Sequence, residues 1–207
     1  MATKKHRHGD PVALLNHLIK DIRVAMLVTH VGGSGLHGRP METQDEPFDG
    51  RLWFLTSASS PKALEIEEDA EVALVYCDPQ AQRYVYVNGR ARLRRDAATI
   101  ERLWRPQQSL WFPRGKGDPD LRALEVSVER ALYWIRGNPA GTAAALSQAL
   151  ETGTVPELGD SGTIEFEQRP VPGAEGAAAE HTRPVATAAD ESAHNVGRAG
   201  RRNRSQH

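Results

Sequence analysis

Gly38-Arg39-Pro40-Met41, a polar turn, Leu52-Trp53-Phe54-Leu55-Thr56 and then Ser60-Pro61-Lys62 read as a strand, a turn, a second strand and the start of a short helix. Ser60 suits the N-cap and Pro61 the first helical position, and the helix is expected to run to about Asp69. This order of elements places Arg39, Thr56, Ser57 and Lys62 within reach of one another beside the amides of a helix N-terminus. Those amides lack intrahelical partners and carry the positive end of the peptide dipoles, so the cluster suits a phosphate.

Working outward, Asp10-Pro11 signals another helix start, with Leu15, Leu18, Ile19 and Ile22 recurring on one face. Val24 to Val31 is a largely apolar strand, and Gly32-Gly33-Ser34-Gly35 returns the chain as a second strand from Leu36 to Thr43. No Lys-Ser/Thr pair and helix follow this glycine loop, which excludes a nucleotide P-loop. His30 and His37 flank the hairpin and are expected to pair across it. In the strand from Arg51 to Thr56 both faces are substantially apolar, as expected where one faces a barrel interior and the other a partner surface.

Glu71 to Cys77 and Tyr84 to Leu93 read as two further strands, the second continuing into a basic edge of Arg90, Arg92, Arg94 and Arg95. Asp96 caps a helix that ends before Pro106. The segment from Gln107 to Asp120 holds the aromatic pair Trp111-Phe112, either a plug over a barrel end or an arm over a bound ring. Leu124, Val126 and Val128 alternate in a long last strand, with Leu132 and Trp134 in the same parity beyond a bend near Glu129-Arg130. Six strands, mostly antiparallel if successive ones pair, with short flanking helices, make a mainly β (α+β) barrel-like domain over residues 10–139.

Outside it, residues 1–9 form a polar arm expected to lack order, residues 140–152 can form a short Ala-rich helix, and residues 153–207 read as a disordered low-complexity tail. The 39% hydrophobic content fits a chain with segments outside its core. With 26 Lys and Arg against 27 Asp and Glu, the formal net charge of -1 offers no global field for nucleic acid or membrane. No apolar stretch reaches the roughly 20 residues of a membrane span, which leads us to expect a cytoplasmic protein. Cys77, the single cysteine, excludes an internal disulfide and reads as a buried hydrophobe at a strand end. The histidines at positions 6 and 8 lack partners at ligand spacing, so no metal is assigned.

Gly38-Arg39-Pro40-Met41, Leu52-Trp53-Phe54-Leu55-Thr56 and Ser60-x-Lys62 leading into Glu71-Val72-Ala73-Leu74-Val75-Tyr76 resemble the pyridoxamine-5'-phosphate-oxidase-like, FMN-binding split-barrel family. Trp104-Arg105-Pro106, Trp111-Phe112-Pro113-Arg114-Gly115-Lys116 and Asp118-Pro119-Asp120-Leu121 are similar to its general stress protein subgroup. The resemblance implies a six-stranded antiparallel split β-barrel and a homodimer with flavin at the subunit interface. It implies FMN as cofactor, ahead of FAD or a deazaflavin, in a site drawn from Arg39, Pro40, Met41, Leu55, Thr56, Ser57, Ser60, Lys62 and Trp111. In that site Arg39 and Lys62 supply phosphate charge, Thr56 and Ser57 hydroxyls, the Arg39-Pro40-Met41 backbone lies along the ring, and Trp111 covers it from the other subunit. The ordinary alternatives are an Arg39 paired with Glu42 or Glu46, a solvated Lys62 and a core Trp111.

Because a flavin carries the redox chemistry itself, the absence of a nucleophile or acid/base pair is uninformative. The functional expectation is an oxidoreductase passing electrons from NADH or NADPH to an acceptor; the alternative is a non-enzymatic flavin storage or sensing protein. Synthesis of pyridoxal phosphate is disfavoured, because the basic end of the chain holds no tryptophan.

Overall fold

The computed structural model describes residues 4–5, 10–33, 35–137, 139–154, 156 and 158–167. The elements are β1 (Lys4–Lys5), α1 (Pro11–Ile19), β2 (Val24–Val31), β3 (Gly35–Glu42), β4 (Arg51–Ser57), α2 (Pro61–Glu68), β5 (Glu71–Asp78), β6 (Arg83–Arg94), α3 (Ala97–Leu103), β7 (Leu121–Arg136), α4 (Pro139–Thr152) and β8 (Gly159–Glu165). Two 3-10 turns, Pro106–Leu110 and Gly115–Gly117, lie between α3 and β7. The capping signals act as read: Asp10 accepts from the Val12 amide at 3.0 Å and Asp96 from the Thr99 amide at 2.9 Å.

One curled sheet contains all the strands, in the order β1-β8-β7-β6-β5-β2-β3, with β4 also paired to β7. Every pairing is antiparallel except the short one between β1 and β8. Successive strands do not all pair, contrary to the sequence expectation. After β3 the chain crosses to β7 as β4, and α2 then carries it back so that β5 adds to β2 as well as to β6. Periodicity identifies a strand and its faces, whereas its neighbours are chosen by which edges the packed helices bring together.

The six expected strands are present as β2 to β7, and β8 adds a seventh long enough to pair over several residues. It lies in the stretch read from sequence as tail. Its sequence, Gly-Asp-Ser-Gly-Thr-Ile-Glu, has only Ile164 as a large apolar residue, buried to 4% exposure, so no alternation announces it. It is a strand because β4 occupies only residues 121–127 of β7, leaving the edge from Arg130 to Arg136 open for pairing. The remainder of that tail, residues 168–207, and most of the N-terminal arm lie outside the described residues.

The bend near Glu129 is a β-bulge. Asn88 faces Arg130 and Gly89 faces Val128, so Glu129 is the extra residue. An inserted residue exchanges the two faces of a strand. Leu124, Val126 and Val128 point into the core before the bulge, and Ala131 and Tyr133 after it, while Trp134 is exposed. The continuous parity expected through Leu132 and Trp134 is therefore wrong. Gly89 is required at this crossing: a Cβ there would meet the Ser127 carbonyl oxygen at 2.3 Å.

The main core fills the curl, with Leu15, Leu18 and Ile19 of α1 packed on Leu27, Phe54, Leu74, Tyr76, Val85, Val87, Leu124 and Val126. A second, smaller core forms on the outer side of β4 from Trp53, Ile100, Leu103, Phe112, Leu121 and Ala123. The second apolar face of β4, read as meeting a partner, is thus covered by α3 and Phe112 of the same chain. The aromatic pair divides: Phe112 plugs this core and Trp111 is left 76% exposed. Cys77 is exposed rather than buried, because β5 turns Leu74 and Tyr76 inward and Cys77 falls on the opposite parity.

Candidate functional site

The register of β2 and β3 sets the site. Leu27 faces Arg39 and Thr29 faces His37, and cross-strand partners share a side of the sheet. Leu27 and Thr29 are fully buried, so Arg39 and His37 lie on the same side as the core, where α2 covers most of Arg39 and leaves His37 exposed at the rim. His37 is consequently not opposite His30, whose partner is Leu36, and the expected histidine pair does not exist.

What α2 contributes is Glu65, buried to 8% exposure. Its Oε2 accepts from Arg39 Nη2 at 2.6 Å and from Thr29 Oγ1 at 2.5 Å, and its Oε1 from His37 Nδ1 at 3.0 Å. Arg39 Nη1 also donates to Thr29 Oγ1. Burial works to raise the Glu65 pKa, but the hydrogen bonds from Thr29, His37 and Arg39, with the charge of Arg39, hold it down at about 2. Arg39 therefore pairs with Glu65 rather than with Glu42 or Glu46, which bind Arg23 and Arg102 respectively.

Lys62, one turn before Glu65, is half-buried, and its side chain makes no hydrogen bond or ion pair with another described residue. Burial lowers its pKa, the nearby Arg39 charge lowers it further, and Glu65 acts in the opposite sense. Two cations thus share one locked carboxylate, and the poorly solvated ammonium of Lys62 is the member without a partner. An added anion would relieve both the desolvation and the repulsion, so these residues fit a phosphate.

Around them, Thr56 is 3% exposed with its hydroxyl 3.3 Å from that of Ser60. Ser60 occupies the N-cap of α2 without capping it; its hydroxyl donates to the Ser57 carbonyl at 2.7 Å. The Ser57 hydroxyl is committed to Asp120, which also accepts from the Ser59 amide at 2.9 Å and the Ser59 hydroxyl at 3.0 Å. Thr56 and Ser60 thus meet at the start of α2, while Arg39 and Lys62 are grouped around Glu65, and no hydrogen bond among the described residues joins the two pairs. Pro40 is exposed on edge strand β3, where its missing N–H is tolerated. The side chains of Met41 and Leu55 belong to the main and the second core, respectively. No hydrogen bond, ion pair or ring contact among the described residues joins Trp111 to Arg39 or Lys62.

Thr29, His37 and Glu65 escape the sequence reading. In α2 the hydropathy order is inverted, with Leu64 56% exposed and Glu65 buried, and only the register of β3 explains why. A cavity of about 480 Å³ lies elsewhere, between the β2–β3 hairpin and the end of α2. Its titratable lining is His30, Glu68 and Asp69, a poor match for an anion.

The locked carboxylate has an acid signature. Stability contributed by Glu65 is complete above its ordinary pKa of 4.5 and is lost as pH falls through about 2. Glu65→Gln is expected to flatten the fall in unfolding free energy across that window, measured by urea denaturation at stepped pH. An unchanged slope would remove Glu65 from the account of acid lability.

Fold and site together define an antiparallel split-barrel protein with a cation pair suited to an anionic group. The chain belongs to the Pyridoxamine 5'-phosphate oxidase like family, whose model matches residues 10–157. It is 34% identical over 77 residues to general stress protein 26 of Bacillus subtilis (strain 168), a match covering 36% of this chain and 54% of that protein, so the chain spans about half the length of this curated relative. A structure described as a general stress protein 26 from Jannaschia sp. CCS1 superposes with a TM-score of 0.58 at 24% identity, over 74% of this chain and 99% of that one. The general stress FMN/FAD binding protein of Xanthomonas citri does so with a TM-score of 0.51 at 27% identity, over 57% of this chain and 83% of that one. Among the described residues no helix is long and apolar enough to cross a membrane.

Proposed function

We propose that this protein binds FMN and passes electrons from NADH or NADPH to an acceptor in the cytoplasm. The observation that carries the reading is the charge surplus of Arg39 and Lys62 at the head of α2, which gives the FMN phosphate a seat; the FMN/FAD-binding relative from Xanthomonas citri supports it. The flavin, when bound, supplies the hydride and electron chemistry. The chain's own tasks are to neutralise the phosphate with Arg39 and Lys62, to offer the Thr56 and Ser60 hydroxyls beside them, and to lay the edge backbone of Arg39-Pro40-Met41 along the ring. Glu65 holds Arg39 in place and stays ionised, so it has no proton to give near neutral pH.

The outer sheet face supports a homodimer with flavin at its interface. Pro40, Met26, Val75, Tyr86 and Leu132 form one cross-strand row, and Met26, Tyr84 and Trp134 are 43%, 41% and 47% exposed. Large apolar side chains grouped this way mark an association surface. The exposed Trp111 is then available to cover the ring bound in the other subunit. Met26→Asp is expected to convert the dimer to a folded monomer in light scattering; a dimer that persists would place the contact elsewhere.

The functional test is absorption spectroscopy after gel filtration with excess FMN, followed by an NADH and NADPH oxidation assay. Stoichiometric flavin bands with turnover are expected. Flavin without turnover would favour a storage or sensing role, and no retained FMN would reject the reading.

A further inference from the structure

The basic row on β6 is not a solvated edge. Arg92 faces Glu125, Arg94 faces Ala123, and Arg90 and Arg51 both face Ser127, so four arginines from β6 and β4 share one side of the sheet with Glu125 of β7. Glu125 is completely buried, yet accepts from Arg92 Nη2 at 2.6 Å and Arg94 Nε at 2.8 Å and lies 3.5 Å from Arg51 Nε. The three arginine side chains remain 35%, 39% and 45% exposed for Arg92, Arg94 and Arg51. The only other carboxylate against them among the described ion pairs is Asp49, 3.8 Å from Arg51 Nη1.

As a stabilising device this cluster is poor. A buried carboxylate ringed by guanidinium groups is commonly no more stable than apolar side chains of similar volume. Arg92 Nε is also buried with no hydrogen-bond partner, a cost that native structures seldom carry without another use. What the arrangement achieves is geometric. Glu125 draws three guanidinium groups to one point, with Arg94 using only Nε and Arg92 only Nη2, so each of these partly exposed arginines keeps N–H groups that Glu125 does not use and the cluster carries surplus positive charge.

We infer that Arg51, Arg92 and Arg94, organised by Glu125, form a second anion site that takes the phosphoryl group of a small phosphorylated ligand. Three cations against buried Glu125 and the exposed Asp49 leave a net positive charge suited to a phosphoryl group, and arginine forks bind such a group through paired N–H groups. Convergence on one carboxylate selects a compact anion; an extended polyanion would need charges spread along a track. The site is separate from Arg39 and Lys62, since it shares the face of Leu55 on β4, opposite that of Thr56.

The test is calorimetric titration of the full chain, saturated with FMN, with inorganic pyrophosphate. Wild-type protein is expected to bind it saturably. Arg51→Gln combined with Arg94→Gln, which keeps the Arg92–Glu125 pair, is expected to weaken binding at least tenfold, while Arg130→Gln, which removes an arginine of β7 that pairs with Glu165 instead, leaves it unchanged. Should the double variant fold poorly in a thermal melt, Arg94→Lys serves instead: it retains charge, removes the fork, and should still weaken binding severalfold. No saturable binding, equal affinity in the Arg51 and Arg94 variants, or an equal loss in Arg130→Gln would overturn the inference. A protein that retains no FMN overturns the flavin reading alone, because titration of the flavin-free chain carrying Arg39→Ala and Lys62→Ala still reports on the Glu125 arginines.

Discussion

Replacing Arg39 and Lys62 together by alanine is expected to weaken FMN binding by about 10²–10³-fold while leaving riboflavin binding nearly unchanged. Each charge-assisted contact to a phosphate contributes about 1.5–2 kcal/mol, and about 1.4 kcal/mol is a factor of ten. Riboflavin has the ring and ribityl chain without the phosphate, so it isolates the cation pair from general damage to the site. The removal of Arg39 leaves Glu65 its contacts with Thr29 and His37, and the fold should therefore persist by circular dichroism. Equal losses for both ligands would point to a disturbed barrel, and unchanged FMN affinity in a folded variant would reject the phosphate assignment.

Phe54→Ala is expected to cost about 3–5 kcal/mol of unfolding free energy, the range for truncating a fully buried aromatic residue. Phe54 is 0% exposed in the main core, on β4, the strand that crosses to β7 and leads directly into the head of α2. The same substitution should lower flavin affinity, since Thr56, Ser60 and Lys62 are positioned by the end of that strand. Chemical denaturation followed by far-ultraviolet circular dichroism measures the first effect. A loss below about 1 kcal/mol would mean that β4 is not anchored through Phe54.

Helix starts and strand alternation were legible because they depend on residues close in the chain. Asp10 and Asp96 cap as read, Pro61 begins α2, and six strands stand where they were read, as β2 to β7. Arg39 and Lys62 were legible as a pair because a strand, a turn and a helix of these lengths bring them to one end. The polar partners were not: Glu65 becomes the counter-ion of Arg39 only because α2 lies across the β2–β3 register, and Ser57 turns to Asp120 because β7 begins beside β4. The parity of β7 failed for an equally physical reason, since one bulged residue exchanges the faces of everything beyond it.

By itself the amino-acid sequence determined that β2 to β7 are strands, where α1, α2 and α3 begin, and that Arg39 and Lys62 belong to neighbouring elements. These follow from side-chain period, capping chemistry and proline, which act over a few residues. Tertiary structure alone decided that β4 pairs with β7, that the poorly patterned β8 is a strand, that Trp53 is covered by α3 and Phe112, and that one buried glutamate serves Arg39 while another gathers Arg51, Arg92 and Arg94. Each of these depends on which edges and faces remain after the rest of the chain has packed, a long-range outcome that no local pattern encodes.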